Sequence, residues 1–556
     1  MYFYFIFCAI YGALRRVFKM IKKMDFSGIA SFFKNAVSEK NLNLLRTFFM
    51  GKWYPVWVAF SVLIGRASGL ELYFVMLDFV LVSVALLVCD SLRPVLPNLI
   101  TFLFRIPLEH SPGFPNYSTY YSGAKMVFFI IFASLFFVSL TYFYIRNKVF
   151  VKTNILKTPL FVPLAVFSLS FLTAGMFSGT RMKEDLGFSL LQVFVFFIVY
   201  LILYYGLKRE NVNEIRDYFV YISAICAVVL IFEVIDVFLR VDGAMVNGSI
   251  NKNFVDFGWG ISNTCGSALS VLTPMCMLGA MNAKRRYESV IYFVIGTLTI
   301  TAVYFTLARA SVIVGTVGFI VCMITTCFAG NNKKTCRVAT VFVVVIITTL
   351  IVVFKEELSH MFVHFINKGL DDSGRYNVWN GALENFKRAP IFGSGYFSLG
   401  TGPKLAKFIP RLAHNTFLQL MSSMGIFGLV SYLVYRAFTF IPFFKHFKLW
   451  KLVILTSCAI LIFESWLDNF IFWFSPTFVY NLVIIICILH CEQTKAAENA
   501  GTEHESFDAT ESADVPSTGD AAESENAEST PEVGIIGDAI IHDSPINDAC
   551  TSRINL

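Results

Sequence analysis

The sequence predicts an all-α polytopic membrane protein, with roughly 12 to 14 transmembrane helices and one long extracytoplasmic loop containing short helices. Three observations predict it. Of the 556 residues, 56% are apolar, 16% aromatic and 15% charged, and the mean hydropathy is +0.65, a balance that excludes an ordinary soluble domain. Apolar runs of about 17 to 25 residues recur along the chain, each long enough for an α-helix to cross the hydrocarbon, whereas a transmembrane barrel would show short alternating segments. Between residues 355 and 413 the runs give way to a polar stretch punctuated by glycine and proline.

The net charge of +7 hides a split. From Glu492 onward there are 15 acidic and 2 basic residues, which leaves 43 basic and 23 acidic residues in the remainder. The membrane body is basic and its tail acidic, and no nucleic-acid partner is expected. The twelve cysteines fall in or beside apolar runs, on short basic loops or in the tail. They have neither zinc-site spacing nor the pattern of a disulfide framework, and read as small apolar residues.

In chain order, residues 1–52 form a basic cytoplasmic or interfacial segment. Its apolar start, residues 1–14, is too short to span, and the cluster Arg15, Arg16, Lys19, Lys22 and Lys23 follows it, the reverse of a secretory signal. Residues 53–354 hold the N-terminal membrane helices. Short candidates lie at Trp53–Ile64 and Val95–Ile106, with Leu70–Cys89 between them, and clearer ones at about 126–145, 159–176, 188–206, 218–239, 258–280, 289–307, 310–329 and 338–354. The extracytoplasmic loop is 355–413. C-terminal helices fill 414–491, at about 414–440, 451–467 and 473–490. Residues 492–556, rich in Glu, Asp, Ala, Ser and Thr, are expected to be a disordered cytoplasmic tail.

Orientation follows from charge. Basic residues cluster on alternate loops, at Arg146 to Lys157, Lys284 to Arg286, Lys333 to Arg337 and Lys445 to Lys451, which places these loops and both termini inside. Parity then puts 107–125, 177–187, 240–257, the turn Leu307 to Ala310 and the loop 355–413 outside. That loop breaks the rule. Lys355, Lys368, Arg375, Lys387, Arg388, Lys404, Lys407 and Arg411 outnumber its five acids, which reads either as an anion-binding surface or as a loop long enough to translocate regardless of its charge. Within it, Asp371-Asp372-Ser373 followed by apolar-periodic Val378, Trp379, Leu383 and Phe386 predicts a capped helix that stops near Arg388, before Pro390 and a Gly393-Ser394-Gly395 turn.

Three residues on the outer side carry the expected chemistry. Arg309 sits in a very tight turn between two apolar helices, where a full charge reads either as a functional position or as an arginine snorkelling at a helix end. Arg375 falls in the first turn of the loop helix, with Trp379 packing one turn later. His414 opens the next membrane helix with Asn415 as its cap, and the partial positive charge of a helix N-terminus favours the neutral imidazole that a general base requires. Guanidinium forks match phosphate oxygens in pairs, so the two arginines suit a diphosphate leaving group and the histidine the proton of an attacking hydroxyl. No DxD-like or HExxH-like cluster faces outside, so arginine rather than metal is expected to supply the positive charge, with no cofactor. Lys404, Arg411, Asn415 and Trp379 complete the expected substrate-binding set. Gly425 and Gly428, three apart on the helix after His414, predict close packing against a neighbouring helix.

The pattern His414-Asn415, nine residues, Gly425, two residues, Gly428 resembles the core of the O-antigen ligase and O-antigen polymerase superfamily of C-type membrane glycosyltransferases. Arg375 with Trp379, the segment Pro390 to Gly395 and Ser262-Asn263 after Gly258 and Gly260 resemble that family too. Arg309 is similar to a family arginine followed four residues later by leucine, a position held here by Ile313. The resemblance covers about residues 255–445. It implies a metal-independent enzyme of the bacterial plasma membrane that polymerises or ligates polyprenyl-diphosphate-linked oligosaccharide for O-antigen, capsule or exopolysaccharide assembly. Its partners would be that lipid-linked saccharide, membrane lipid and a saccharide acceptor. The rival reading is a transporter or flippase of lipid-linked saccharide, which predicts repeated halves and broken or charged helices near the midplane. Glu233, Asp236, Glu464 and Asp468 near helix ends, and Asp78 within a span, are secondary candidates.

Overall fold

The computed structural model describes residues 39–104, 123–148, 154–240, 245–246, 249–250, 262–353, 355, 375–399, 413–472 and 474–511. The chain divides into two compact units, Met1–Ala497 and Glu498–Leu556. The described helices are α1 (Glu39–Met50), α2 (Trp53–Ser68), α3 (Glu71–Val88), α4 (Asn98–Phe104), α5 (Gly123–Arg146), α6 (Phe161–Leu172), α7 (Lys183–Val193), α8 (Val199–Leu207), α9 (Val212–Arg240), α10 (Ser262–Asn282), α11 (Arg286–Phe305), α12 (Arg309–Ala329), α13 (Lys333–Val353), α14 (Arg375–Arg388), α15 (Thr416–Phe444), α16 (Leu449–Asp468) and α17 (Phe474–Glu511). A two-residue hairpin, Met245–Val246 paired antiparallel with Ser249–Ile250, is the extended structure among them. Among the described residues eight helices are long and apolar enough to cross a membrane, or nine if the bent pair at Glu39–Met50 and Trp53–Gly65 is one span. Three shorter apolar helices, Leu72–Val88, Ile130–Arg146 and Phe161–Leu172, join them. The protein is a polytopic all-α membrane protein, as the sequence predicts.

Local physics accounts for the departures in detail. The candidate span at Val95–Ile106 is instead a 3₁₀ turn, Arg93–Val95, and a seven-residue helix, because Pro94 and Pro97 interrupt the run. The span beginning at Lys183 carries a π-helical insert, Phe194–Ile198, between α7 and α8. The last helix continues through Glu511, beyond its apolar part and into the acidic segment.

Two charged residues buried inside the bundle show how polar side chains are accommodated there. Asp78 accepts hydrogen bonds from Ser61 Oγ (3.1 Å) and Thr101 Oγ1 (2.8 Å), the polar partners expected of a mid-span acid. Arg436, in α15, sits against the rings of Tyr432, Tyr435 and Tyr480, 4.1 Å from the last centroid, where ring faces offset part of the cost of burying a cation. The ten described cysteines are buried and carry thiols rather than disulfides.

The helix ends gather in two sets. At one end, the turns after α10 and α12 touch, with Asn331 N–H donating to Met281 O (2.8 Å). The start of α16 belongs to the same end: Arg216, near the start of α9, lies over the Trp450 ring (5.3 Å), and Asp217 and Tyr221 of α9 are electrostatic neighbours of Tyr292 at the start of α11. Between spans at this end, Arg93 pairs with Glu210 (2.6 Å) and Glu214 (3.0 Å). Burial pushes the Glu210 carboxyl above its ordinary range, against the pull of Ser91 and Arg93. One span away, the opposite end collects the end of α11 and start of α12, the loop after α14, the start of α15 and the end of α16, where Thr416 Oγ1 donates to Ser465 O.

Candidate active site

The site is built on a helix that breaks. At Gly425, φ 67° and ψ −163° interrupt α15 and divide it into two half-helices. A break inside a membrane helix exposes backbone groups that lipid cannot satisfy. Here the segment after α14 satisfies them. Ser394 N–H donates to Ser422 O (2.8 Å) and Gly395 N–H to Ser423 O (3.1 Å) on one side. On the other, Ile426 N–H donates to Pro390 O (2.8 Å) and Phe427 N–H to Ile391 O (3.2 Å). Residues 390–397 thus form a strap laid into the break. Contact is so close that a Cβ on Gly393 would stand 2.2 Å from the Ser423 carbonyl carbon, and one on Gly425 would stand 2.4 Å from Ile391 O. Gly393 and Gly395 also have positive φ, 67° and 87°. This corrects the expectation of helix-on-helix packing at Gly425 and Gly428. Gly425 meets the strap's backbone, and a Cβ on Gly428 would meet Met424 of its own helix.

His414 stands immediately before the N-terminal half-helix. Its φ of 49° is in the left-handed region, which a non-glycine residue adopts at a cost. Both neighbours are fixed. Asn415 is the N-cap, its side-chain oxygen accepting from Leu418 N–H (3.1 Å). Buried Ala413 donates its N–H to Gln419 Oε1 (2.7 Å) and accepts at its carbonyl from Trp379 Nε1 (2.9 Å).

The Trp379 bond ties α14 to the histidine. Ala382 of α14 packs with Ala413 and Leu418, and half-buried Arg375, the first residue of α14, lies one turn before Trp379. Trp379, expected among the substrate-binding residues, therefore has its indole N–H engaged in placing Ala413. Trp379→Phe keeps a ring but leaves Ala413 O without this donor. It should cost about 1 kcal/mol in stability and lower turnover about tenfold, read by thermal melting and initial rates.

Arg309 is the first residue of α12 and half-buried. The turn before it is tight, with Leu307 at φ 53° and Ala308 N–H donating to Thr306 Oγ1 (3.3 Å). That turn is wedged against the first turns of α10. A Cβ on Gly266 would lie 2.8 Å from Ala308 Cβ and Thr306 Oγ1, and Ser270 Oγ donates to Ser311 O (3.1 Å). The structure thus brings Arg309, Arg375, Trp379, His414 and Asn415 to one end of the bundle. Lys404 and Arg411, like Gly258, Gly260 and the Asp371-Asp372-Ser373 cap, lie outside the described residues. Glu233 and Glu464 are buried in the bundle. Among the described residues no three His, Cys, Asp or Glu side chains gather as a metal cradle.

One acid of this region gives no signal in the sequence. Asp185, in the Lys183-Glu184-Asp185 start of α7, looks like an ordinary acidic first turn facing water. It is fully buried, and its carboxylate accepts from backbone N–H groups of the strap, 211 and 212 residues away in sequence.

The fold is that of a polytopic helical membrane protein, and Arg309, Arg375 and His414 lie toward one end of its bundle. Residues 293–433, from within α11 to beyond the break in α15, match the family model described as O-antigen ligase. The match takes in Arg309, Arg375, His414, the strap and Gly425, and it bears out the family resemblance carried by the spacing from His414 to Gly428. An O-antigen-ligase-type function is supported in these general terms. No curated protein matches the chain.

Proposed function

We propose that the protein is a membrane glycosyltransferase that extends or transfers a polyprenyl-diphosphate-linked oligosaccharide at the outer face of a bacterial plasma membrane. The observation that carries this reading is the arrangement of Arg309, Arg375 and His414 at one end of the bundle, within the O-antigen ligase match. The alternation of basic loops supports the outer placement of that end. In the proposed reaction an acceptor hydroxyl attacks the anomeric carbon of the donor sugar and gives its proton to His414. The bond from that carbon to the diphosphate oxygen breaks, and the polyprenyl diphosphate leaves with its charge held by Arg309 and Arg375, with Lys404 and Arg411 as further cations of the same surface. No metal or cofactor is assigned a step.

A flippase also uses broken helices, because unpaired backbone at the break coordinates its cargo. In α15 four backbone groups flanking the break bond to the strap, which favours the enzyme reading. The test is to incubate the purified protein in lipid nanodiscs with a lipid-diphosphate oligosaccharide, with and without a second acceptor. Longer chains identify a polymerase, and glycosylation of the second acceptor identifies a ligase. Movement of the lipid across the membrane without new glycosidic bonds would overturn the proposal. Arg309→Ala and Arg375→Ala should each lower transfer by about 100-fold or more, with Lys replacements retaining part of the rate because charge without the bidentate fork survives. A cytoplasmic position for a reporter placed at Lys404 would contradict the orientation.

A further inference from the structure

Resting on the transfer reaction proposed above, we infer that Asp185 is a positioning residue that sets His414 through the strap. Asp185 is the third residue of α7 and has no exposed surface. Its Oδ2 accepts from Met182 N–H (2.7 Å), and its Oδ1 accepts from Tyr396 N–H (2.5 Å) and Phe397 N–H (3.3 Å). Among the described residues no Lys or Arg lies within ion-pair distance of it. Its charge is met by backbone dipoles, and each oxygen is used as an acceptor. A buried carboxylate held this way is costly to unpair and strongly directional. The fit leaves no slack, since a Cβ on Gly395 would stand 2.9 Å from Oδ2.

From this carboxylate a path of hydrogen bonds and backbone links reaches Ala413, the residue before His414. Asp185 fixes Tyr396 and Phe397, which adjoin Gly395 and Ser394. Those two donate to Ser423 O and Ser422 O. Ser423 Oγ accepts from Gln419 Nε2 (2.8 Å), and Gln419 Oε1 accepts from Ala413 N–H (2.7 Å), the residue before His414. Two more bonds hold the strap from the same side. Gly175 N–H donates to Phe392 O (2.8 Å), and Thr180 Oγ1 donates to Ser394 O (2.8 Å). The connection from α6 to α7 and the first turn of α7 thus clamp the strap against the broken helix, and Asp185 supplies the carboxylate in that path. A ring displaced by about an ångström from the proton it must take loses about a hundredfold in rate, so a residue far from the chemistry can govern kcat while leaving substrate affinity alone.

The test compares wild type, Asp185→Asn, Asp185→Ala and the control Glu184→Gln as full chains in nanodiscs. Asparagine keeps the size but replaces one acceptor oxygen with a donor, so either the Met182 bond or the strap bonds lose their acceptor, and alanine removes both. The expected result for Asp185→Asn is kcat lower by about 10- to 100-fold with KM for the lipid-linked donor within about twofold, and faster amide exchange over residues 394–397 and 413–424. Asp185→Ala should lose at least as much, and Glu184→Gln should match wild type. A folded Asp185→Asn protein that keeps wild-type kcat, or that loses affinity instead of rate, overturns the positioning role. Unchanged exchange over 394–397 in Asp185→Ala, which lacks both acceptor oxygens, overturns the clamp itself. If wild type forms no glycosidic bond with any donor, the transfer reading fails, and the exchange measurement still decides the clamp.

Discussion

Replacing His414 by alanine abolishes product while the protein still inserts and folds. The expected loss is at least about 10²- to 10⁴-fold, the contribution of a positioned general base. Alanine confounds two effects, because His414 sits at φ 49° and alanine resists that conformation. Asparagine separates them, since it tolerates the left-handed region better than most side chains and would keep the turn into the Asn415 cap while removing the imidazole. Both variants should be inactive, with His414→Asn melting closer to wild type. Product at wild-type levels from either variant would remove the histidine from the reaction. Activity that returned with asparagine alone would mean that the turn matters and the ring does not. The readout is product formed per inserted protein, so that folding losses do not pass for lost chemistry.

Substituting Gly393 or Gly425 by alanine lowers the melting temperature sharply. Each has φ 67° and each would drive a Cβ into the backbone of the facing segment, at 2.2 Å and 2.4 Å respectively. Backbone strain and overpacking each cost about 1–3 kcal/mol, so a loss of about 3 kcal/mol or more is expected for either change. Backbone cannot rotate away as a flexible side chain can, and opening the strap to make room strands N–H and C=O groups where no water replaces them. Gly381, in the middle of α14 with open space around it, is the contrast. There alanine should raise stability by up to about 1 kcal/mol. Melting temperatures of the three variants in detergent check the ordering, and Gly393→Ala behaving like Gly381→Ala would mean the strap does not occupy the break.

How much was legible in advance varies with the range of the interaction. The end of α14 at Arg388, the turn at Gly393 to Gly395, the Asn415 cap and the tight turn before Arg309 were all readable, because each depends on a handful of adjacent residues. The function of Gly425 was misread from equally local evidence. Two glycines three apart on an apolar helix look alike whether they admit a neighbouring helix or a break, and what distinguishes them is the partner segment thirty residues upstream. Trp379 reads as an aromatic packing beside Arg375, and its direction, with the indole N–H turned to Ala413 O, depends on how α14 lies against α15.

By itself the sequence determined that this is a multi-span helical membrane protein with one polar, basic segment, and it singled out Arg309, Arg375 and His414 as the candidate residues in and beside that segment. Hydropathy and charge alternation are sums over neighbouring residues, and the membrane enforces them without reference to the rest of the fold. Only the tertiary structure decided that residues 390–397 fill a gap in α15 and that Asp185 holds them there. A carboxylate that receives N–H groups from 211 residues away leaves no periodicity, spacing or composition to detect. Its role exists once the chain has closed on itself and the hydrocarbon has required every backbone group in the break to find a partner.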